Sequence, residues 1–133
     1  MRVPRDQLKK ILAASQTNAL ALLPDDPSEA GFQEWVVGIA QSHGWHVAHF
    51  SKVKVQSGTR TYWETPARAD GAGFPDLVMV RGPIILHVEL KTNRGSLSEK
   101  QKVWHDKLAQ ALCPVHVWRP RDREKIYEAL RRK

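Results

Sequence analysis

The chain has 133 residues, with 21 Lys and Arg against 14 Asp and Glu, so its formal net charge is +7. This length fits one domain of ordinary size, and the single cysteine, Cys113, excludes an internal disulfide framework and a cysteine-rich zinc site. No apolar run approaches the roughly 20 residues that cross a bilayer, so we expect a soluble, cytoplasmic protein with no membrane partner. The basic balance favours a polyanionic partner such as nucleic acid.

The first half of the chain predicts two helices and a strand. Apolar spacing predicts a helix over residues 4–23 and a second one that begins after the N-cap Ser28 and ends at Gly44. Residues 45–50 alternate large and small side chains, which is typical of a strand. Residues 51–74 carry glycine, proline and scattered charges, so we expect one short strand and a mobile loop there.

The second half predicts strand, strand, helix, strand and helix, at residues 76–80, 84–90, 98–112, 114–118 and 121–132. Arg81-Gly82-Pro83 should turn the first two strands into a hairpin, and Ser98 with Gln101 has the spacing of a capping box. We therefore expect one domain over residues 1–133, divided into an N-terminal helical extension (1–27), a core (28–120) and a C-terminal basic helix (121–133). The cations of that last helix fit either a second DNA-backbone surface or an ordinary charged face.

Two carboxylates and a lysine are expected to converge at one end of the predicted hairpin. Side-chain alternation places Glu89 and Lys91 on the same face, and antiparallel pairing brings Asp76, at the start of the preceding strand, close to them. Carboxylate oxygens suit a hard cation such as Mg²⁺ or Mn²⁺, and a lysine can orient or deprotonate an attacking water. These are the groups that phosphodiester hydrolysis needs, and we expect them on the rim of the sheet rather than in the core.

These residues resemble a known family. Pro75-Asp76, twelve intervening residues and Glu89-Leu90-Lys91 resemble the signature of the PD-(D/E)XK nucleases. Flanking positions over about residues 28–120 resemble its VRR-NUC branch (virus-type replication-repair nuclease), whose small stand-alone members are common in phages; they are Ser28-Glu29, Phe32-Gln33, Val36-Val37, Gly44-Trp45, Gly73-Phe74 and Ser98 with Gln101. The resemblance implies an α/β fold with a restriction-endonuclease-like core: a mixed central sheet flanked by helices, in α-β-β-β-α-β order, with an extra N-terminal helix.

The resemblance also implies roles for individual residues. Asp76 and Glu89 would bind Mg²⁺, for which Mn²⁺ can substitute, with the main-chain carbonyl of Leu90 as a third ligand. Lys91 would be the catalytic lysine. Gln101 occupies the family's glutamine position, where it would touch the metal site or a substrate phosphate.

One first-helix residue and several nucleic-acid contacts complete the expected site. The resemblance also implies an additional site residue on the first helix of the core, and the alignment on Val36 and Val37 favours Gln33 or Glu29 over Glu34. The cations of residues 52–68 are interleaved with Tyr62 and Trp63, a composition suited to phosphate contact and base stacking. The expected nucleic-acid contacts are His49, Lys52, Lys54, Arg60, Arg68, Arg94, Lys100 and His105.

Our first interpretation is a structure-selective DNA endonuclease of DNA recombination or repair, a Holliday-junction resolvase of phage or prophage type acting in the bacterial host cytoplasm. Cutting two strands of a branched junction with one site per chain requires a symmetric homodimer, and the helix over residues 4–23 is a candidate interface. Three alternatives stay open at this point: a flap, nicking or end-processing nuclease, an RNA nuclease, and a catalytically silent nucleic-acid-binding module.

Overall fold

A four-stranded mixed sheet organises the protein. The computed structural model describes residues 15–50, 53–64 and 68–132. The elements are α1 (Gln16–Ala21), α2 (Glu29–Ser42), β1 (His46–His49), β2 (Val53–Ser57), β3 (Arg60–Glu64), β4 (Leu77–Arg81), β5 (Ile84–Leu90), α3 (Glu99–Gln110), β6 (Val115–Trp118) and α4 (Arg123–Leu130), with a 3₁₀ turn at Pro120–Asp122. The sheet has the order β1-β4-β5-β6, in which only the β5–β6 pair is parallel. The predicted α/β class and mixed sheet are confirmed.

The β4–β5 hairpin is the central pair of this sheet. Arg81 pairs with Ile84, so the turn consists of Gly82 and Pro83 alone. Gly82 has φ +58, as the first central residue of a type II′ turn requires, and the second central residue has the negative φ that proline prefers. The predicted hairpin is therefore confirmed, with a two-residue turn.

The prediction of one short strand within residues 51–74 was wrong. Two strands, β2 and β3, form a separate antiparallel hairpin in which Ser57 pairs with Arg60 across Gly58 and Thr59. Gly58 has φ +62, which again suits a tight hairpin turn. Residues 51, 52 and 65–67, part of the predicted mobile loop, lie outside the described residues. When β2–β3 is set aside as an insertion, α2, β1, β4, β5, α3 and β6 follow the predicted α-β-β-β-α-β order.

The hydrophobic core lies on one face of the sheet. Leu77, Met79 and Val88 from the strands are fully buried and pack against α2 and α4, which contribute Phe32, Trp35, Val36, Ile39, Ile126 and Leu130. α2 begins at the predicted N-cap, since the Ser28 hydroxyl accepts the main-chain N–H of Gly31 at 3.0 Å. Because all these contacts are apolar, burial supplies most of the free energy that holds the helices on the sheet.

The segment before α2 is part of the same core. Ala19 of α1 is fully buried, and its carbonyl accepts the indole N–H of Trp35 at 2.8 Å. α1 is the described part of the helix predicted over residues 4–23, and residues 4–14 lie outside the described residues. None of the helices in the described ranges has the length and apolar composition of a bilayer-spanning segment.

Two C-terminal arginines hold the fold together. The Arg119 guanidinium donates to the carbonyls of Thr92 and Gly95, both at 2.6 Å. Arg123 donates to the carbonyls of Leu20 at 3.3 Å and Pro24 at 2.8 Å. These two cations therefore connect the C-terminal segment to α1 and to neighbouring loops, and in the described structure they stabilise the fold.

His43 is buried where the end of α2 contacts the C-terminal segment. Its Nδ1 accepts the main-chain N–H of Arg132 at 3.2 Å, and its ring meets the Tyr127 ring edge-on at 5.6 Å. Burial, followed by the positive charges of Arg81, Arg132 and Arg131, lowers the pKa of His43 below its ordinary value of 6.5. An Nδ1 that accepts a hydrogen bond must be unprotonated, so geometry and charge both keep this ring neutral.

We predict that the protein loses stability as the pH falls below about 6.5, the unfolded-state pKa of a histidine, because the unfolded chain takes up a proton that His43 in the folded state resists. His43→Gln keeps an acceptor for Arg132 and removes the titration. When the pH falls from 7.5 to 5.5, the unfolding free energy of the variant should fall less than that of the wild type. The two slopes should differ by up to about 1.4 kcal/mol per pH unit. Thermal unfolding of both proteins measures this difference; equal losses would contradict it. His105 and His116, whose pKa values burial also lowers, account for any decline that remains.

Candidate active site

Asp76 and Glu89 face each other across the β4–β5 hairpin. The antiparallel register pairs Leu77 with Val88, which sets Asp76 directly opposite Glu89 one step further along. The carboxylate of Asp76 accepts the main-chain N–H of Leu90 at 2.8 Å through Oδ2. This bond fixes the orientation of the Asp76 side chain and leaves its other oxygen to serve as a ligand.

Lys91 follows β5 and is held by its main chain. Its N–H donates to the carbonyl of Trp118 at 3.0 Å, which extends the parallel β5–β6 ladder by one bond. The two Arg119 bonds described above fix the carbonyls of Thr92 and Gly95 in the same loop. The lysine therefore leaves the sheet from a rigid backbone, at the end where Asp76 and Glu89 lie.

A cleft of about 740 Å³ opens at this end of the sheet, between the start of α2, the end of β1 and the loop after β5. It brings together the three predicted chemical groups and both first-helix candidates. The predicted residues that line it are Glu29, Gln33, His49, Asp76, Glu89, Leu90 and Lys91.

Glu89 is buried, so the expectation that the site residues lie on the rim rather than in the core was wrong for this residue. Its exposed fraction is 1%. The reason is that α3 covers this face of the sheet and brings His105 Nε2 to 3.6 Å from Glu89 Oε1. Burial is the largest influence on His105 and lowers its pKa, while the charges of Asp106 and Asp76 raise it and that of Lys91 lowers it. A carboxylate this deeply buried is costly to desolvate.

The available donors fit a hard divalent cation. Asp76 and Glu89 offer carboxylate oxygens, and Leu90, which lines the same cleft, offers a main-chain carbonyl. Within residues 15–50, 53–64 and 68–132, no group of three or more His, Cys, Asp and Glu side chains could hold a metal ion alone. Mg²⁺ needs no such group, because it keeps several waters and binds through one or two carboxylates together with substrate phosphates. Bound there, a cation would also offset the charge of the buried Glu89.

The start of α2 forms the opposite wall of the cleft. Glu29 and Gln33 are one turn apart on its cleft side, and the Gln33 amide nitrogen lies 3.2 Å from His49 Nδ1 on β1. Glu34 is exposed and is not among the residues that line the cleft. Both favoured first-helix residues thus reach the cleft, and the choice between them stays open.

Gln101 is placed outside the cleft lining. Its Oε1 accepts the main-chain N–H of Ser98 at 2.8 Å, and its own N–H donates to the Ser98 hydroxyl at 3.2 Å. This reciprocal pair is the predicted capping box, so the structure gives Gln101 a role at the start of α3. Contact with metal or phosphate remains a prediction for this residue.

The expected nucleic-acid contacts are more dispersed. His49 lines the cleft, whereas His105 lies behind Glu89, on the α3 side of the sheet. Four cations are exposed outside the cleft lining, namely Arg60, Arg68, Arg94 and Lys100. Lys52 and the side chain of Lys54 lie outside the described part of the chain, as do the side chains of Tyr62 and Trp63. DNA contact by these residues therefore stays a prediction.

Sequence reasoning missed Phe50. This residue follows β1, lines the cleft beside Asp76 and is 41% exposed. Its main-chain N–H donates to the Asp76 carbonyl at 3.0 Å. The available signal was a large apolar side chain at the end of a predicted strand, where a polar residue usually faces the solvent.

Comparison with known proteins gives one match. The model of the VRR-NUC domain matches residues 14–122, which is more than half of the chain. The match begins before residue 28, where the resemblance found in the sequence begins, and it therefore includes α1. This agrees with the packing of α1 on the core. No curated protein and no solved structure matches the chain.

Proposed function

Because the chain belongs to the VRR-NUC family, whose domain is a nuclease of the PD-(D/E)XK type, we propose that it is a metal-dependent endonuclease selective for structured DNA. The supporting observation is the placement of Asp76 opposite Glu89, in one cleft with Lys91. Two carboxylates and a lysine at one end of a sheet combine cation binding with a group that can handle a water nucleophile.

The roles of the chain's own residues follow from this placement. Asp76 and Glu89, with the Leu90 carbonyl, would hold Mg²⁺, for which Mn²⁺ can substitute; such a cation polarises phosphate oxygens and offsets their charge. Lys91 would orient or deprotonate the attacking water and stabilise negative charge on the phosphate. The water oxygen bonds to phosphorus as the P–O3′ bond breaks. The products are a 5′-phosphate and a 3′-hydroxyl, whose oxygen takes up a proton.

The proposed substrate is a branched junction cut by a homodimer. Among the described residues a single cleft holds the three chemical groups, so paired cuts in two strands need two copies related by a two-fold axis. The inner face of α1 packs on its own chain, and a dimer through α1 would have to use its exposed residues, which are Gln16, Thr17, Asn18 and Ala21. We also propose a cytoplasmic location, in the bacterial host if a phage encodes the chain.

The test is a cleavage panel with Mg²⁺, Mn²⁺ or EDTA, and with Glu89→Ala alongside. The substrates are linear duplex, single strand, 5′-flap, nicked duplex, four-way junction and RNA. Symmetric paired cuts in the junction that disappear with EDTA and with Glu89→Ala are the expected result. Cutting confined to flaps, nicks or single strands would replace the resolvase by a flap or end-processing nuclease. Intact binding without any cutting would favour a catalytically silent module.

We predict that alanine at Lys52, Lys54 and Arg60 weakens DNA binding and flattens its salt dependence. Each lost phosphate contact should reduce the slope of log affinity against log salt by about 0.9. Binding to a junction at several salt concentrations measures both effects. Alanine at Lys102 and Lys107 is the control, because these two exposed cations on α3 are not among the expected DNA contacts. An unchanged slope in the first variant, or an equal change in the control, would remove the β2–β3 region from the DNA interface.

A further inference from the structure

Phe50 places an exposed aromatic ring beside the carboxylates of the cleft. It is 41% exposed and lines the cleft together with Asp76, Glu89 and Lys91. Its main-chain bond to the Asp76 carbonyl holds it just after β1, beside the start of β4, and neighbouring strands lie about 4.8 Å apart. A substrate phosphate bound to a cation that Asp76 holds would therefore bring the attached nucleotide within reach of this ring.

Other aromatic rings pack against the Phe50 ring and support it. Phe74 meets it edge-to-face at 5.6 Å between ring centroids, and Phe74 in turn contacts Trp104 at 5.0 Å and His87 at 6.1 Å. The Trp104 indole N–H donates to the Asp70 carbonyl at 2.8 Å, which fixes the last ring of the series. Aromatic side chains in such edge-to-face contacts stabilise one another. The exposed ring is thus held ready for a ligand and loses little freedom when one binds.

We infer that Phe50 is a stacking residue for an unpaired base next to the scissile phosphate. Every base offers an aromatic face, so stacking on a fixed ring is tolerant of sequence. The basic charge of the chain, +7, favours a nucleic acid as the occupant over an apolar peptide. The inference rests on the proposed nuclease function and names the structural feature of DNA that the cleft selects.

Selectivity follows from the cost of freeing a base. In an intact duplex each base is paired and stacked, and exposing one costs free energy; the cost is lowest where the base is mismatched or already single-stranded. A ring at the cleft therefore favours substrates with unpaired bases at a branch, nick or flap over a linear duplex. Phe50 would contribute to the affinity for substrates with unpaired bases and very little to the affinity for linear duplex.

The test uses DNA that carries the fluorescent base 2-aminopurine at the nucleotides flanking the cut, with Ca²⁺ in place of Mg²⁺ to measure binding apart from cleavage. Stacking on Phe50 should quench the 2-aminopurine fluorescence. Phe50→Ala should lose the quench and bind a substrate with unpaired bases about tenfold to a hundredfold more weakly. Its affinity for linear duplex should change less than about threefold, because no free base is available there. Phe50→Trp should keep both quench and affinity.

Two further variants separate stacking from packing. Phe50→Leu retains an apolar side chain against Phe74 without an aromatic face, so it should behave like Phe50→Ala even if the alanine variant folds poorly. Ile85→Ala removes an apolar side chain that is 47% exposed and outside the cleft lining, and it should bind like the wild type.

The results that would contradict the stacking role differ from those that would contradict the proposed nuclease function. Wild-type quench and affinity in Phe50→Ala and Phe50→Leu, in a protein that still cuts DNA, would overturn the stacking role alone. Equal losses for flap and linear duplex would also overturn it, because a general loss is not selective for unpaired bases. A wild-type protein that cuts none of the panel substrates would instead overturn the nuclease function on which the inference rests.

Discussion

Glu89→Gln is expected to abolish cleavage while leaving the protein as stable as the wild type, or more so. The substitution keeps the shape of a side chain that is 1% exposed and removes the charge that would bind the cation. Loss of several kcal/mol of transition-state stabilisation by the cation corresponds to a fall in rate of about 10³-fold or more. Folding should not suffer, because a buried neutral amide is less costly to desolvate than a buried carboxylate.

The measurement pairs single-turnover cleavage with thermal unfolding in EDTA, where no cation compensates the charge. Glu99→Gln is the matched control, since this acid on α3 is exposed, with 89% of its side-chain surface accessible, and lies outside the cleft lining. The control should cut at the wild-type rate. A Glu89→Gln protein that cuts normally would refute the site assignment. One that loses more than about 2 kcal/mol of unfolding free energy would show that the charge is needed by the fold.

The position of the two carboxylates could be predicted because it depends on local rules. Short runs rich in apolar residues identify β4 and β5, and the Gly82-Pro83 turn makes them a hairpin. A hairpin turn of fixed length sets the register, and this register places Asp76 opposite Glu89. The helix starts at Ser28 and Ser98 follow from equally local capping signals. All of these features depend on residues that are close in sequence or joined by one short turn.

The missed features depend on contacts between distant parts of the chain. Alternation tells which face Glu89 points to, but its burial is decided by α3, which follows β5 and folds back over that face. In the same way, a count of cations cannot show that Arg119 and Arg123 donate to main-chain carbonyls of distant loops. The exposure of Phe50 likewise depends on the α2 start, which forms the far wall of the cleft.

The β2–β3 hairpin is a different kind of error. Its local signals were present, since Val53, Val55 and Thr61 are β-branched residues in alternation on either side of Gly58-Thr59. The charges and glycines of residues 51–74 favoured a loop and outweighed these strand signals. A two-residue turn with glycine in its first position, between alternating β-branched residues, is evidence for a hairpin even within a polar stretch.

Gly73→Ala is expected to destabilise the protein and to weaken cleavage, and it tests how α3 packs over the site. Gly73 has φ +85, and a Cβ there would lie 2.5 Å from the main-chain carbon and 2.6 Å from the main-chain oxygen of Lys100. Main-chain atoms in the first turn of a helix cannot move aside as a flexible side chain can. The clash would push α3 away from the segment that leads through Phe74 to Asp76.

The expected loss combines two costs. A left-handed conformation costs a residue with Cβ about 1–2 kcal/mol, and crowding in a packed region adds about 1–3 kcal/mol. Chemical or thermal unfolding of Gly73→Ala should therefore show a loss of about 2–5 kcal/mol. Cleavage should fall as well, even at temperatures where the variant stays folded, because the clash moves the loop that carries Asp76.

Gly58→Ala and Gly82→Ala separate the two costs. Both glycines have positive φ, +62 and +58, and a Cβ at either position has nothing within 4 Å. These variants should therefore lose only the conformational cost, about 1–2 kcal/mol, and should cut DNA at the wild-type rate. If Gly73→Ala is no less stable than these two controls, the contact between Gly73 and the start of α3 is not what holds the helix against the site. If it is less stable but cuts normally, Asp76 keeps its place without that contact.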